Sequence, residues 1–125
     1  MFKALVDAES LINPTFLESY DVIGTYEERW PGEDPEVLHL SKIRIEGDEI
    51  EPFIKTLSSH DLEEGWYALV WNDDKAYVIF KNKIIPLRNI DPWDQGEFSE
   101  LVEYGKQYAI DKKYFLNMRS VMDAW

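Results

Sequence analysis

The spacing of apolar residues changes period several times along this chain, and each change predicts an element. Met1 to Val6 is apolar apart from Lys3 and predicts an opening strand. Asn13-Pro14 is a helix-start pair, Asn as cap and Pro at the first helical position, and predicts a short helix ending near Ser19. Asp21 to Trp30, with Val22, Ile23 and Tyr26, is rich in strand formers. Two prolines and a glycine in Pro31-Gly32-Glu33-Asp34-Pro35 then require a turn. The strand predicted over Val37 to Glu46 carries apolar residues at Leu38 and Leu40, then at Ile43 and Ile45. That slip in phase predicts a bulge near Ser41-Lys42.

Ile50, Phe53, Ile54 and Leu57 lie at i, i+3, i+4 and i+7, one face of a helix. Asp48 and Glu51 resemble a capping box, and Pro52 is predicted at the fourth helical position, where it would lose a backbone bond and disturb the first turn. Trp66 to Trp71 and Ala76 to Phe80 are apolar on both phases and predict central strands covered on two sides, joined by a turn at Asn72-Asp73-Asp74. Asn82 marks a turn into a strand over Lys83 to Leu87, followed by a loop from Arg88 to Gln95. Phe98, Leu101, Val102, Gly105, Tyr108 and Ala109 predict an amphipathic helix, with Gly105 allowing close approach to the sheet. Asp111 is placed to cap a last helix bearing Phe115, Met118, Met122 and Trp125 on one narrow stripe.

The order of these elements predicts an α+β fold: a ferredoxin-like βαββαβ core, with extra C-terminal strands and a long helix packed on a largely antiparallel sheet. One domain is expected over 1–125, with 111–125 as a C-terminal helical tail.

The stretch from Gly65-Trp66-Tyr67-Ala68 through Asn72-Asp73-Asp74 to Val78-Ile79-Phe80, preceded by an acidic amphipathic helix, resembles a family of small prokaryotic proteins of unknown function. The resemblance extends to about Tyr114. It rests on a hairpin pattern without catalytic residues and implies no activity.

Composition narrows the functional classes. With 45% hydrophobic and 14% aromatic residues the chain has ample material for a core. Its net charge of −12 is distributed unevenly: residues 1–74 hold 18 acids and 5 bases, the remainder 7 and 8. Such a chain repels phosphate backbones, so no nucleic-acid partner is expected. Ala76 to Phe80 has the look of half an RNA-recognition strand signature, but Asp73-Asp74-Lys75 puts acids where a basic residue, a glycine and an aromatic belong. No cysteine is present, so a disulfide framework and a thiolate zinc site are both unavailable. No apolar run approaches the roughly 18 residues a membrane span requires, and a cytoplasmic protein with no membrane partner is expected.

Recognisable catalytic motifs are missing. The six glycines are too scattered for a phosphate-cradling loop, and there is no G-x-S-x-G elbow. His39 falls in a strand and His60 at a helix end, where an imidazolium suits the helix dipole. The acidic groups Glu46-Asp48-Glu49-Glu51, Asp61-Glu63-Glu64 and Asn72-Asp73-Asp74 lack the loop pattern of a hard-cation site. Neither a metal nor a cofactor is expected. Three classes of function remain. A non-catalytic binding or protein-interaction module would self-associate as a homodimer through Phe115, Met118, Met122 and Trp125. A small-molecule-binding domain or small enzyme would use an aromatic cleft between sheet and terminal helix, lined by Trp66, Tyr67, Trp71 or Tyr104. An acidic immunity-type or decoy protein would bind a basic protein.

Overall fold

The computed structural model describes residues 1–125. Its strands are β1 (Phe2–Asp7), β2 (Asp21–Arg29), β3 (Val37–Ile45), β4 (Tyr67–Trp71), β5 (Lys75–Phe80) and β6 (Lys83–Arg88). The helices are α1 (Ile50–Thr56), α2 (Gln95–Gly105), α3 (Lys112–Leu116) and α4 (Met118–Asp123). All six strands join one sheet in the order β2-β3-β1-β4-β5-β6, each neighbouring pair antiparallel. The fold is therefore mixed α+β. The β4–β5 hairpin closes on Asn72, whose Oδ1 accepts from the N–H groups of Asp74 and Lys75 at 3.0 and 2.8 Å. Pro86 falls on β6, at the sheet edge, where a strand can lack a donor.

Both faces of the sheet are covered, each by a cluster of 13 buried residues. Leu11, Leu17, Phe53, Ile54, Leu57 and Leu62 cover one face, over Ala4, Val6, Ile43, Ile45, Val70 and Ile79. Leu101 of α2, Phe115 of α3, and Met118 and Met122 of α4 cover the other, over Leu5, Leu40, Leu69, Val78 and Leu87. This two-sided burial explains the phase change in β3. Leu40 faces the C-terminal helices, whereas Ile43 and Ile45 face the α1 layer, and ordinary alternation carries the chain from one to the other. β1 pairs β3 without interruption from Phe2 opposite Ile45 to Asp7 opposite Leu40, so the bulge expected at Ser41-Lys42 is not there. The register shift lies in the partner strand, between Val22 and Gly24.

Asn13 accepts from the Thr15 N–H at 3.2 Å as a cap should, although the turn it opens, Pro14–Ser19, is a 3-10 helix. The capping box at Asp48 does not form: α1 is preceded by Glu49, with no side-chain cap. The first helical bond runs from the Phe53 N–H to the Glu49 carbonyl at 3.1 Å. Pro52 is thus the third helical residue, where no donor is needed, and it breaks nothing. After α1 the chain widens into a π-helical turn over Leu57–Asp61, anchored by Ser58 Oγ donating to the Phe80 carbonyl at 2.6 Å.

The helix predicted to run to Ala109 stops at Gly105 and tightens to 3-10 over Lys106–Tyr108. Ala109 is left-handed (φ 56°), its N–H donating to Lys106 O and that of Ile110 to Gly105 O, both at 3.1 Å, in the Schellman pattern. Gly105 permits a close approach, but to Phe115 of α3 rather than to the sheet. Asp111 caps α3 by accepting from the Lys113 N–H at 2.9 Å. The single last helix expected from the stripe is two short helices divided at Asn117. No helix is long and apolar enough to cross a membrane.

Candidate functional site

Strand alternation places three residues of β1 on the side of the C-terminal helices: Lys3, Leu5 and Asp7. Tyr26 and Glu28 of β2, and Trp30 just beyond it, share that side, as do Leu38 and Leu40 of β3 and Tyr67 and Leu69 of β4. Helices α3 and α4 lie over this face without filling the space beside Asp7. The result is a cavity of about 380 Å³. Its floor is Leu5, Asp7, Leu40 and Leu69, and its helical wall is Tyr114, Asn117, Met118 and Val121. Gly65, Trp66, Tyr108 and Ala109 complete one end. Gly65 makes the turn before β4 with φ +84°, a conformation open to glycine at little cost.

The rim is pinned across the cavity mouth. Trp30 and Tyr114 pack with ring centroids 4.8 Å apart. Glu33, in the β2–β3 turn, accepts from Tyr114 Oη at 2.6 Å and from Lys113 Nζ at 3.0 Å. Those two bonds hold the Glu33 carboxyl below the usual carboxylate range. Burial, and then the bond to Glu33, pushes the Tyr114 hydroxyl up to about 12. Inside, the Trp30 indole N–H donates to Glu28 Oε1 at 2.5 Å.

Asp7 has no such partner. Its Oδ1 is fully enclosed and without a hydrogen bond. Burial, followed by repulsion from Glu28 and Glu9, pushes its carboxyl up to about 7. Burial raises the Tyr67 hydroxyl as well, with Asp7 and Glu28 adding to the effect. Four carboxylates line the cavity (Asp7, Glu28, Glu33, Asp34) and no Lys, Arg or His does. A second hollow of about 310 Å³ adjoins it, sharing Leu5, Glu28 and Val121, and there Lys42 Nζ stands 5.4 Å from the Tyr26 ring centroid.

Of the ligand-binding candidates from sequence, Trp66 and Tyr67 line the cavity. Trp71 does not: it is buried, edge-on to Trp125 at 6.3 Å. Tyr104 packs on Phe80 and Tyr108, with centroids 4.8 and 5.9 Å away, outside the cavity. The interaction candidates Phe115, Met118 and Met122 are buried within this chain's own core, and Met118 also lines the cavity. Trp125 is partly buried, with Lys3 Nζ 4.8 Å above its ring. His39 pairs with Glu9 at 2.9 Å on the surface, and His60 is exposed. Nowhere do three His, Asp or Glu side chains gather as metal ligands would.

Asp7, Glu28, Trp30 and Tyr114 were not among the sequence candidates. A signal existed for the first three. Asp7 is in phase with Leu5, and Glu28 with Tyr26 and Trp30, so each acid falls on the same strand face as apolar neighbours. For Tyr114 there was none. No known protein family, curated protein or solved structure matches this chain.

Proposed function

We propose that this protein is a non-catalytic binding domain that holds a small molecule in the cavity between the sheet and helices α3 and α4. The observation that carries this reading is the unpartnered Asp7 carboxyl lining a cavity walled by Trp30, Trp66, Tyr67, Tyr108 and Tyr114. A volume of about 380 Å³ falls in the range of small-molecule sites, roughly 300–1,000 Å³. Apolar rings with a few fixed polar groups are what such sites use to bury a ligand and orient it. The cleft is preferred to self-association because the C-terminal stripe that suggested a dimer packs against its own sheet.

The Asp7 carboxyl, near 7, also suits a general base, and this favours a second reading in which the bound molecule is turned over. We also read the first four strands as a ferredoxin-like arrangement. The run β4-β1-β3-β2 supports this, as does the placement of Leu17 and Phe53, from the two connecting segments, on one face.

The test is a thermal-shift screen of chemically diverse small molecules on the parent and on Leu38→Trp, which fills the cavity from its β3 side. Ligands of the cavity raise the melting temperature of the parent by mass action and not that of the variant. If every hit stabilises both proteins equally, the cavity is not the binding site.

A further inference from the structure

We propose that the ligand is a small organic ammonium ion, its cationic head held by Asp7 against the faces of Trp30, Tyr67 and Tyr114. This inference rests on the cavity being the binding site. Charge is the first support. The lining holds four carboxylates and no basic side chain; Lys113 at the rim, 5.9 and 5.2 Å from the Trp30 and Tyr114 rings, neutralises only Glu33, so the cavity attracts cations and repels carboxylate or phosphate ligands. Hydrogen-bond accounting is the second. Glu28 is engaged by the Trp30 indole, and Glu33 by Lys113 and Tyr114 at the rim. Asp7 lines the cavity without any such partner, its Oδ1 sealed off from water. A largely buried carboxyl without a partner is costly to ionise, and an ammonium head in the cavity supplies the opposite charge.

The walls are the third support. Ring faces attract cations through their quadrupole, most strongly where water is excluded, and tryptophan and tyrosine cages around a carboxylate suit methylated ammonium groups. A hydrated metal ion fits poorly by comparison. Hard cations need six or more oxygen ligands, and no three acidic side chains converge here.

The charged and titratable groups facing Asp7 are Glu28 and Tyr26 from β2, Glu9 from the turn after β1, Tyr67 from β4 and Tyr114 from α3. β3 places Leu40 opposite it and turns Lys42 to Tyr26, the β2–β3 turn adds Glu33 and Asp34 to the cavity lining, α4 contributes none, and on β1 itself Lys3 is turned to Trp125. Asp7 is therefore the group whose ionisation a cation in the cavity senses first. Its carboxyl titrates at about 7, and a bound cation favours the ionised form. Affinity for a permanently charged cation then rises as pH increases through that value and levels off above it.

The experiment compares choline with its neutral isostere 3,3-dimethyl-1-butanol and with the anion 3,3-dimethylbutanoate. Binding to the full chain is followed by calorimetry and by tryptophan fluorescence. At about pH 8 choline should bind about tenfold or more tighter than the alcohol, and the anion not measurably. Asp7→Asn should remove most of that preference and the pH dependence. Urea unfolding of Asp7→Asn establishes that the variant is folded. Equal or better binding of the alcohol or the anion, blocked by Leu38→Trp, would overturn the ammonium assignment and leave the cavity reading standing. If none of the three binds the parent, the ammonium assignment is overturned, and the thermal-shift screen on parent and Leu38→Trp decides the cavity reading separately.

Discussion

Gly105 and Phe115 occupy space that cannot be shared with one further carbon atom: a Cβ on Gly105 would lie 2.7 Å from Phe115 Cε2 and 2.9 Å from Cζ. Phe115 is fully buried, its ring 5.2 Å from that of Tyr67 and 6.4 Å from that of Phe80, so it has nowhere to retreat. Alanine at 105 would gain about 1 kcal/mol in helix propensity. Overpacking a close-packed core costs about 1–3 kcal/mol, and Phe115 cannot relax, so the clash should win. Gly105→Ala is therefore expected to lower the urea midpoint, and a raised midpoint would show that α3 slides away freely.

Four residues on, the opposite exchange should help. Ala109 is exposed and held at φ 56°, where an L side chain costs about 1–2 kcal/mol. Glycine there gives up about 0.5–1 kcal/mol of unfolded-state entropy but carries no such strain. Ala109→Gly should raise stability by several tenths of a kcal/mol, or about 1 at most, read as a shift in midpoint at unchanged slope.

Asp7 links stability to pH. Its carboxyl is raised from 3.8 to about 7 on folding, so between those values the native state binds the proton and the unfolded state does not. Stability contributed by this group is fully present at low pH, falls as pH rises through that window, and is flat above it; the total is on the order of 4 kcal/mol. Asp7→Asn cannot ionise. It should match the parent near pH 4 and exceed it by a few kcal/mol near pH 8, the difference isolating this carboxyl from the other acids. Parallel pH profiles for parent and variant would show that the carboxyl is solvated.

Val78 lies in β5 with β4 and β6 on either side and is fully buried beneath the C-terminal helices. Val78→Asp places an unpaired charge there, and a loss of about 3–5 kcal/mol is expected. A urea midpoint close to the parent's would mean that this face opens readily to water.

Deleting residues 115–125 removes Phe115, Met118 and Met122, each no more than 5% exposed. Single core truncations of this kind cost about 2–5 kcal/mol each, and a whole domain has only about 5–15 to lose. The truncated chain should lose its near-UV circular dichroism and cooperative unfolding. Retention of both would show that the sheet holds together without this layer.

Much of this protein is determined locally, and there the sequence was sufficient. Continuous apolar runs marked β4 and β5 as interior strands, because residues on both phases need cover. Asn13 and Asp111 cap because each bonds a backbone N–H two residues away. Tertiary structure decided the rest. The same alternation in β3 fits a bulge in one sheet or two covered faces, and only the layers of α1 and α3–α4 choose between them. Asp48 had the spacing of a cap but lost to a turn in which the Glu49 N–H reaches Glu46 O. The cavity depends most of all on non-local packing. Asp7 and Tyr114 come from opposite ends of the chain, and an acid on a strand is an ordinary solvated acid until distant elements close over it. Desolvation makes Asp7 unusual, and desolvation is a property of what packs above a residue rather than of its neighbours in sequence.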